Sequence, residues 1–556
     1  MIDINSPAFV HLHTFSYYSL MKGLISPEEL VKAAQKFNMP AIAMSDHRCL
    51  TGVVEFTLAC QKDGIQPIYG LTVDVEWQYQ KGEMVLLVQN REGWSNLCKL
   101  SSKLMVEEAG SKACLTLDDL FQNQLGLVAL TGGQRSILDF FIQTAQHAKA
   151  QNWLKILKEI YQENLFVEIQ QHTPSQEVNA RRVVEVARHA NIPLVATQSI
   201  YYLNQDQAGL QKTLSAMREN RRLKDIQAED TAPPAAYFAS AKEMIVRFQW
   251  LPDALQNTTR VAEMCAWELP IGEVHFPEIP LPPGETITQV LRNKAESGAK
   301  KRYKKITPQI QARLDHELEI IAKRGYEPIF LIVEELLNYA RQIGVPFSSR
   351  GSAASSLVAY CLEITNPEPL GLNLFFERFL NPARTSPPDI DTDLCSRRRD
   401  LVIQHVFDRY GSDRVAMVGT INRFRPRSAL GEVAKAHGLP PAEVRQLVNQ
   451  VPYAGFQRLS KEEKENPFGG LKAAYPKHEK IFIEAQALLR QPRHLSMHPG
   501  GVLVAPGIIT DWVPVLRSAS KDFHITQLDL DGVEALGLVK IDLLGIRGLS
   551  VLGDVA

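Results

Sequence analysis

The string Pro387-Pro388-Asp389-Ile390-Asp391-Thr392-Asp393-Leu394 sets the sharpest condition on how this chain folds. Three carboxylates occupy every second position, and in an extended strand a period of two turns all three to one face. Like charges packed this way repel unless a cation lies between them. Either the strand or turn is solvated, with its charges in water, or the carboxylates hold divalent metal ions. The string alone does not choose.

A second string bears on the choice. Ala535-Leu-Gly-Leu-Val-Lys540-Ile-Asp542-Leu-Leu-Gly545 reads as an apolar strand whose only charges, Lys540 and Asp542, are two apart and share a face. An Asp buried alone in so apolar a run is costly. It is accounted for if it joins the first carboxylates at a metal site of the two-metal phosphoryl-transfer type, with Lys540 toward a phosphate. A Lys–Asp ion pair at a strand end accounts for it as well. Upstream, Phe347-Ser-Ser-Arg350-Gly351-Ser352-Ala-Ala-Ser355-Ser356-Leu-Val-Ala-Tyr360 is a small-residue loop feeding a helix. Its free backbone N–H groups and helix dipole suit a triphosphate. Arg378, inside the aromatic run Phe375-Phe-Glu-Arg-Phe-Leu380, either clamps a phosphate or pairs with Glu377.

At 556 residues the chain is too long for one core, and three or four domains are expected. With 61 basic and 62 acidic residues, any grip on nucleic acid must come from local patches rather than from a global field. Seven scattered cysteines without a CxxC pair argue against a disulfide framework or zinc ribbon. The start, Met1 to Pro7, has no signal-peptide pattern, and the apolar run near Ile329 to Val333 is too short to span a bilayer. A reduced, cytoplasmic protein with no membrane association is expected.

The first 200 residues alternate strands and helices. Ala8 to His13 reads as a strand, and Ser26-Pro27-Glu28-Glu29 as a helix start with a Ser cap, an early Pro and a Glu three residues on. Ala41 to Met44, Leu165 to Ile169 and Pro193 to Ala196 read as strands, and about Ser175 to Ala190 as a helix. The order predicts a parallel α/β barrel or layered sheet. The Pro-rich stretch Phe276 to Gly284 reads as a linker; Leu314, Leu318 and Ile321 fall at helical spacing, and the run Phe330 to Tyr339 continues it. From about Gly411 to Arg493 the pattern reads as mostly helical and basic.

Arg350-Gly-Ser-Ala-Ala-Ser-Ser-Leu-Val-Ala-Tyr360, Phe376-Glu-Arg-Phe-Leu-Asn-Pro382, Pro388-Asp-Ile-Asp391, His498-Pro-Gly-Gly501 and Gly537-Leu-Val-Lys-Ile-Asp542 follow one another in an order and spacing that resemble the bacterial C-family DNA polymerases, the DNA polymerase III alpha subunits and their error-prone relatives. The resemblance extends to residue 1. It implies an α/β multidomain chain: a PHP-type α/β barrel with its extension over 1–270, a polymerase β-like α+β palm over 271–420 and 498–556, and a helical thumb over 421–497. It implies Asp389, Asp391 and Asp542 as catalytic ligands of two Mg²⁺, with Asp393 a neighbour, and Gly351, Ser352, Arg378 and Lys540 as contacts of the incoming nucleotide. Phe347-Ser-Ser349 departs from the Gly-Pro-Gly common in that family. The expected reaction is template-directed addition of deoxynucleotides to a primer 3′-hydroxyl. Expected partners are primed DNA, dNTPs and replisome proteins, namely a proofreading subunit and, through later regions absent here, a sliding clamp. Without fingers and later domains, weak or no activity is expected of this portion alone.

His11 and His13 share a strand face, and Asp46, His47 and His172 complete a candidate metal cluster. Against the PHP resemblance the set is partial: an acidic ligand is replaced by Thr72, an Asp and a His by Ser199 and Tyr201, and no His or Cys matches near Met84 or Gly132. A degenerate, mainly structural domain without metal is expected; a PHP-type phosphoesterase or 3′–5′ exonuclease and a non-catalytic replisome platform are the alternatives. Arg423, Arg425 and Arg427 alternate ahead of a helix, either as contacts to the DNA backbone or as a solvated charged face.

Overall fold

The computed structural model describes residues 9–106, 113–380, 388, 390–452, 465–519 and 521–555. The chain divides into two compact units, residues 1–269 with 421–495 and residues 270–420 with 496–556.

In the first unit six strands lie in sequence order: β1 (Ala41–Met44), β2 (Gln66–Trp77), β3 (Gln80–Val88), β4 (Leu127–Leu130), β5 (Leu165–Gln170) and β6 (Leu194–Thr197). β1 and β2 are parallel, β2, β3 and β4 antiparallel, and β4, β5 and β6 parallel again. Strands and helices alternate where each βα unit buries one helix face on the sheet, but the β2–β3 hairpin has no helix between its strands and corrects the expectation of a parallel sheet. The helix Pro27–Lys36 starts where the sequence signals it: the Ser26 hydroxyl accepts from the Glu29 N–H, and the Glu29 carboxylate accepts from the Ser26 N–H. Alternate residues of β2, β3 and β4, including Ile68, Val85, Leu87, Val128 and Leu130, join one apolar core with Val10 and Leu12.

The expected strand up to His13 is not a regular strand. The His11 and Thr14 carbonyls accept from Ala43 and Ser45, in and just after β1, whereas the His13 carbonyl accepts from Ile200, beyond β6. Successive residues therefore serve two different neighbours, and one short segment ties together the two ends of the curled sheet. Residues 421–495 contribute the helices Pro426–Ala436, Pro441–Gln450 and Glu479–Ala487, whose apolar faces share a core with Phe15, Tyr201, Tyr202 and Leu214.

In the second unit the sheet order is β11-β12-β9-β10-β13-β8-β7, with β7 Phe347–Ser349, β8 Thr392–Cys395, β9 Val415–Arg423, β10 Pro492–Val504, β11 Val515–Arg517, β12 His524–Thr526 and β13 Lys540–Ile546. β9 corrects the helical reading that began at Gly411: Val415 to Val418 is an apolar run too short for periodicity to separate strand from helix. Leu314, Leu318 and Ile321 are buried along the helix Pro308–Arg324, and the next helix, Glu327–Gln342, buries most of its apolar run. Phe276 to Gly284 carries neither helix nor strand. Among the described residues no helix is long and apolar enough to cross a membrane.

Candidate functional site

The second unit brings the two charged strings together. β13 runs parallel to β8 with Leu543 opposite Thr392, and antiparallel to β10 with Asp542 opposite Gly501. β7 flanks β8 on its other side with Ser349 opposite Thr392, and the next residue's N–H, that of Arg350, donates to the Asp391 carbonyl at 3.3 Å. One residue back from the Thr392–Leu543 pair, Asp391 and Asp542 therefore lie side by side across two neighbouring strands. Asp389 lies outside the described residues.

The carboxylates of this row are not equivalent. Asp393 is engaged by the Arg350 guanidinium, Nε to Oδ1 at 3.1 Å. Lys540 Nζ donates to Asp542 Oδ2 at 2.7 Å, and both side chains are about one-eighth exposed. The strand-end ion pair weighed from the sequence is thus present. It uses only one of the two oxygens: Asp542 Oδ1 is buried without a hydrogen-bond partner among the described residues. A buried carboxylate oxygen left this way loses its hydration and gains nothing in return. A divalent cation held with Asp391 would supply what is missing, so the donor set fits Mg²⁺, which takes one or two carboxylates and keeps water or phosphate oxygens for its other positions.

His498 stands over the same strands. Its Nδ1 accepts from the Gly501 N–H at 2.7 Å, and Gly501 is the residue opposite Asp542. Burial holds the imidazole below its usual range, while the Asp542 charge pulls it up and that of Lys540 pushes it down. The string His498-Pro-Gly-Gly501 was legible as a motif, but no role could be read from it.

Gly351 adopts φ +80°, and a methyl group there would come within 3.8 Å of Asp391 Oδ2, so the loop backbone passes close to the carboxylate. A side chain in that left-handed conformation is strained. The helix that follows, Leu357–Cys361, corrects one expectation. Its first amides are already taken: Leu357 N–H and Val358 N–H donate to the Glu317 carboxylate at 3.0 and 3.1 Å, and the Ser356 hydroxyl donates to it at 2.8 Å. A buried carboxylate occupies the place expected for a phosphate at that helix start. What faces the Asp391–Asp542 row is the turn Gly351–Ser355, with Ser352 half-buried.

Arg313 pairs with Glu317 at 2.6 Å and donates to the carbonyls of Ser355 and Leu374 at 3.1 Å each. It thereby holds the loop against the short turn Phe376–Arg378, where Arg378 is exposed. Helical spacing exposes Arg313 and Glu317 as an i,i+4 pair, but nothing local says that they organise a distant loop.

The histidine cluster of the first unit has the opposite character. Asp46 accepts from the Ser16 N–H and hydroxyl at 2.7 Å each, and from the Ser19 hydroxyl. Burial nevertheless pushes its carboxyl up to about 6. His13 Nδ1 donates to Glu168 Oε1 at 2.7 Å. The same carboxylate accepts from Gln170 Nε2 at 2.8 Å, from the Gly132 N–H at 3.0 Å and from the Thr197 hydroxyl. Burial drives Glu168 up, but His13 and these donors hold it below the usual carboxylate range. Gln170 also donates to Ser199, the Thr72 hydroxyl donates to the Ser45 carbonyl, and Tyr201 packs its ring 4.4 Å from that of Phe15. His11 is bonded to the Ala239 carbonyl at 2.7 Å between Phe9 and Phe238, and burial lowers it to about 4, as it does His172. His47 turns from this group toward Asp74 at 3.1 Å.

His11 Nδ1 and His172 Nδ1 are buried without a hydrogen-bond partner among the described residues, but the rest of the set does not fit a metal cluster. The carboxylates that a metal would need are saturated by hydroxyl, amide and imidazole donors, and Thr72, Ser199 and Tyr201 are spent on packing and hydrogen bonds.

Of the three arginines, Arg423 is engaged by the protein. Its Nη2 donates to the Tyr18 hydroxyl at 2.9 Å and its Nη1 to the Arg490 carbonyl at 3.1 Å, with the guanidinium over both tyrosine rings, 17 and 18. Arg427 donates to Asn449 at 2.9 Å, and Arg425 is exposed at the helix start.

Comparison with known proteins finds two family matches. Residues 11–172 match the PHP domain family, and residues 289–545 match the family described as the bacterial DNA polymerase III alpha NTPase domain. The DNA polymerase III subunit alpha of Borreliella burgdorferi is 31% identical over 98% of this chain and 49% of its own length. That of Pseudomonas aeruginosa is 32% identical over 98% and 48%. An error-prone DNA polymerase of Symbiobacterium thermophilum is 31% identical over 98% and 52%. Among solved structures, an amidohydrolase from Chromobacterium violaceum aligns with 43% of this chain and 97% of its own at 15% identity and a TM-score of 0.23, too low to bear on the fold. The chain spans about half the length of the curated relatives it matches. In order along the chain lie a segment matching the PHP domain and a segment matching the bacterial DNA polymerase III alpha NTPase domain, and over nearly all of its length the chain is similar to bacterial DNA polymerase III alpha subunits.

Proposed function

We propose that the second unit is the nucleotidyl-transfer palm of a DNA-directed DNA polymerase, and that the first unit combines a structural PHP domain with a helical thumb. The observation that carries the reading is the pairing of β13 with β8, which sets Asp542 beside Asp391 with one buried carboxylate oxygen unpartnered. Asp391 and Asp542, with Asp389 completing the set, hold two Mg²⁺. Held there, two such ions would supply Lewis acidity to a primer 3′-hydroxyl and charge neutralisation to a triphosphate.

The chain's own groups do the positioning. Asp391 and Asp542 fix where the reacting oxygens meet. Lys540, already aligned by its bond to Asp542 Oδ2, turns its remaining N–H donors toward the non-bridging oxygens of the nucleotide. The Gly351 and Ser352 backbone approaches the triphosphate where a side chain would obstruct it, and Arg378 closes on it from the neighbouring turn. Arg425 and Arg427 lie along the backbone of the template–primer duplex. The partners are primed DNA, dNTPs and replisome proteins, a proofreading subunit and a sliding clamp among them, and the compartment is the cytoplasm.

The test is Mg²⁺-dependent extension of a primed template by this chain beside Asp391→Ala. Extension by the wild type alone supports the reading. Equal extension by both disproves the assignment of Asp391. If neither extends, the two are joined to the remaining half of a relative and compared again; a variant as active as the wild type there rules the palm out and leaves a binding platform. A phosphoesterase reading of the first unit is disfavoured by its saturated carboxylates.

A further inference from the structure

His47, Asp74 and Glu83 bring ligand atoms within 4.8 Å of one another in the first unit, the one such group of three among the described residues. Asp74 and Glu83 face each other across the β2–β3 pair, and Asp74 lies two residues beyond Thr72 on the same strand face. By donor type alone the trio suits a divalent transition metal. Its surroundings do not. Arg48 Nε sits 2.8 Å from Asp74 Oδ2, and Arg135 Nη1 sits 3.9 Å from Glu83 Oε1. Lys22 is within electrostatic reach of both carboxylates and of His47.

We propose that the chain supplies its own counter-charge at this centre: Lys22, Arg48 and Arg135 stand in for divalent cations, and the first unit keeps its fold without metal. Arg48 on Asp74 and Arg135 beside Glu83 already set one cation against each carboxylate, and Lys22, lowered by burial to about 8, adds partial positive charge, so little negative charge is left for a metal to neutralise. Arg48 already holds Asp74 Oδ2 at 2.8 Å, an oxygen that a divalent ion bridging the trio would need. Electrostatics agrees from each side. Burial pushes Asp74 and Glu83 up, yet His47, Arg48 and Lys22 on one, and Arg135, Lys22 and His47 on the other, hold both below the usual carboxylate range. Burial and Lys22 together hold His47 down.

The layout also explains why the hydrogen bonds around Glu168 and Asp46 are complete. With no ion to gather the ligands, each carboxylate of the old cluster position must find its donors within the chain. The inference does not depend on the palm assignment, because it concerns only residues of the first unit.

The experiment uses the full chain carrying Asp391→Asn and Asp542→Asn, so that metal uptake reports on the first unit. After equilibration with Zn²⁺ or Mn²⁺ and dialysis, bound metal is measured by plasma mass spectrometry, and melting is followed with either metal and with EDTA. The expected result is no stoichiometric metal and a Tm that neither metal nor chelator moves. In the same background Lys22→Met lowers Tm by roughly 5–10 °C, because it strips a counter-charge from two buried carboxylates, while Lys22→Arg holds it within a few degrees. If Lys22→Met does not fold, Arg135→Gln takes its place with a smaller drop. One equivalent of metal in the Lys22 protein, a Tm lowered by EDTA, or neutral variants that melt like their parent would overturn the proposal.

Discussion

Two groups of acidic side chains, one in each unit, are built on opposite principles. Around Glu168 and Asp46 the carboxylates accept three or four hydrogen bonds apiece from hydroxyl, amide and imidazole donors, and around Asp74 and Glu83 they face arginine and lysine. Around Asp542 a single lysine takes one oxygen and leaves the other buried and unpartnered. A folded chain tolerates such an oxygen at a cost of about 1–3 kcal/mol. The cost is explicable if something from outside the chain completes the site. The contrast separates carboxylates that are saturated, although His11 Nδ1 and His172 Nδ1 beside them lack partners among the described residues, from a carboxylate that is not.

The largest test of that contrast is in activity. Asp391→Ala or Asp542→Ala should lower Mg²⁺-dependent nucleotide addition on the order of 10³-fold or more if each is the metal ligand proposed above. Thermal unfolding without metal should show no loss for Asp542→Asn, because that change removes an incompletely paired charge. A marked loss of stability instead would mean that Asp542 is a structural partner of Lys540 and that the two centres do not differ in kind.

The reverse holds at the saturated carboxylates. Glu168→Ala strips His13, Gln170, Thr197 and the Gly132 N–H of a shared acceptor, and should cost about 3–5 kcal/mol of stability by denaturant unfolding. Added divalent metal should recover none of it.

How much of this could be read from the sequence divides along the same line. The strand–helix alternation, the Ser26 cap and the Lys540–Asp542 pair follow from periods of two and from local spacing, and the structure has them. Partners far apart in the chain were not legible. Glu317 caps a helix 40 residues away, Arg313 binds carbonyls at Ser355 and Leu374, and Arg48 and Arg135 reach carboxylates on β2 and β3. No periodicity reports such contacts. The helix start after Ser356 looked open to phosphate because its occupant lies on another helix. The strand β9 was missed because four apolar residues satisfy either period.

Asp139, like Asp46, is met by neutral donors alone, and it sharpens the comparison. Asp139 accepts from Asn179 at 2.8 Å and from Gln143, with no cation in the set, and burial pushes it up to about 6 against those donors. Its pKa is higher folded than unfolded, so its stabilising contribution is complete below about pH 4 and is lost as pH rises through about 6. The difference of roughly two units corresponds to up to about 3 kcal/mol. Asp139→Asn should therefore leave stability unchanged near pH 4 and raise it by up to that amount at pH 7, read from urea midpoints at both values. Equal midpoints at pH 7 would mean that neutral donors alone satisfy a buried carboxylate, and the role given to Lys22 and Arg135 would weaken.

The smallest effect concerns Arg423. Its alternation with Arg425 and Arg427 suggested one DNA-facing stripe, but the structure spends its guanidinium on the Tyr18 hydroxyl, the Arg490 carbonyl and two aromatic rings. Desolvation lowers the guanidinium's proton affinity, yet the two tyrosines more than offset it, and the group's pKa ends above its usual value. An arginine used this way joins Tyr17 and Tyr18, at the start of the PHP segment, to residue 490. Arg423→Gln should lose about 1–2 kcal/mol of stability, two hydrogen bonds and a partly exposed cation–π contact, with the salt dependence of DNA binding unchanged. Arg425→Gln, at an exposed helix start, should do the opposite: stability within about 0.5 kcal/mol, and a slope of log affinity against log salt shallower by about 1. If Arg423→Gln flattens that slope as Arg425→Gln does, the tyrosines release the guanidinium when DNA binds. Arg423 would then belong with Asp542, among groups whose partners come from outside the chain.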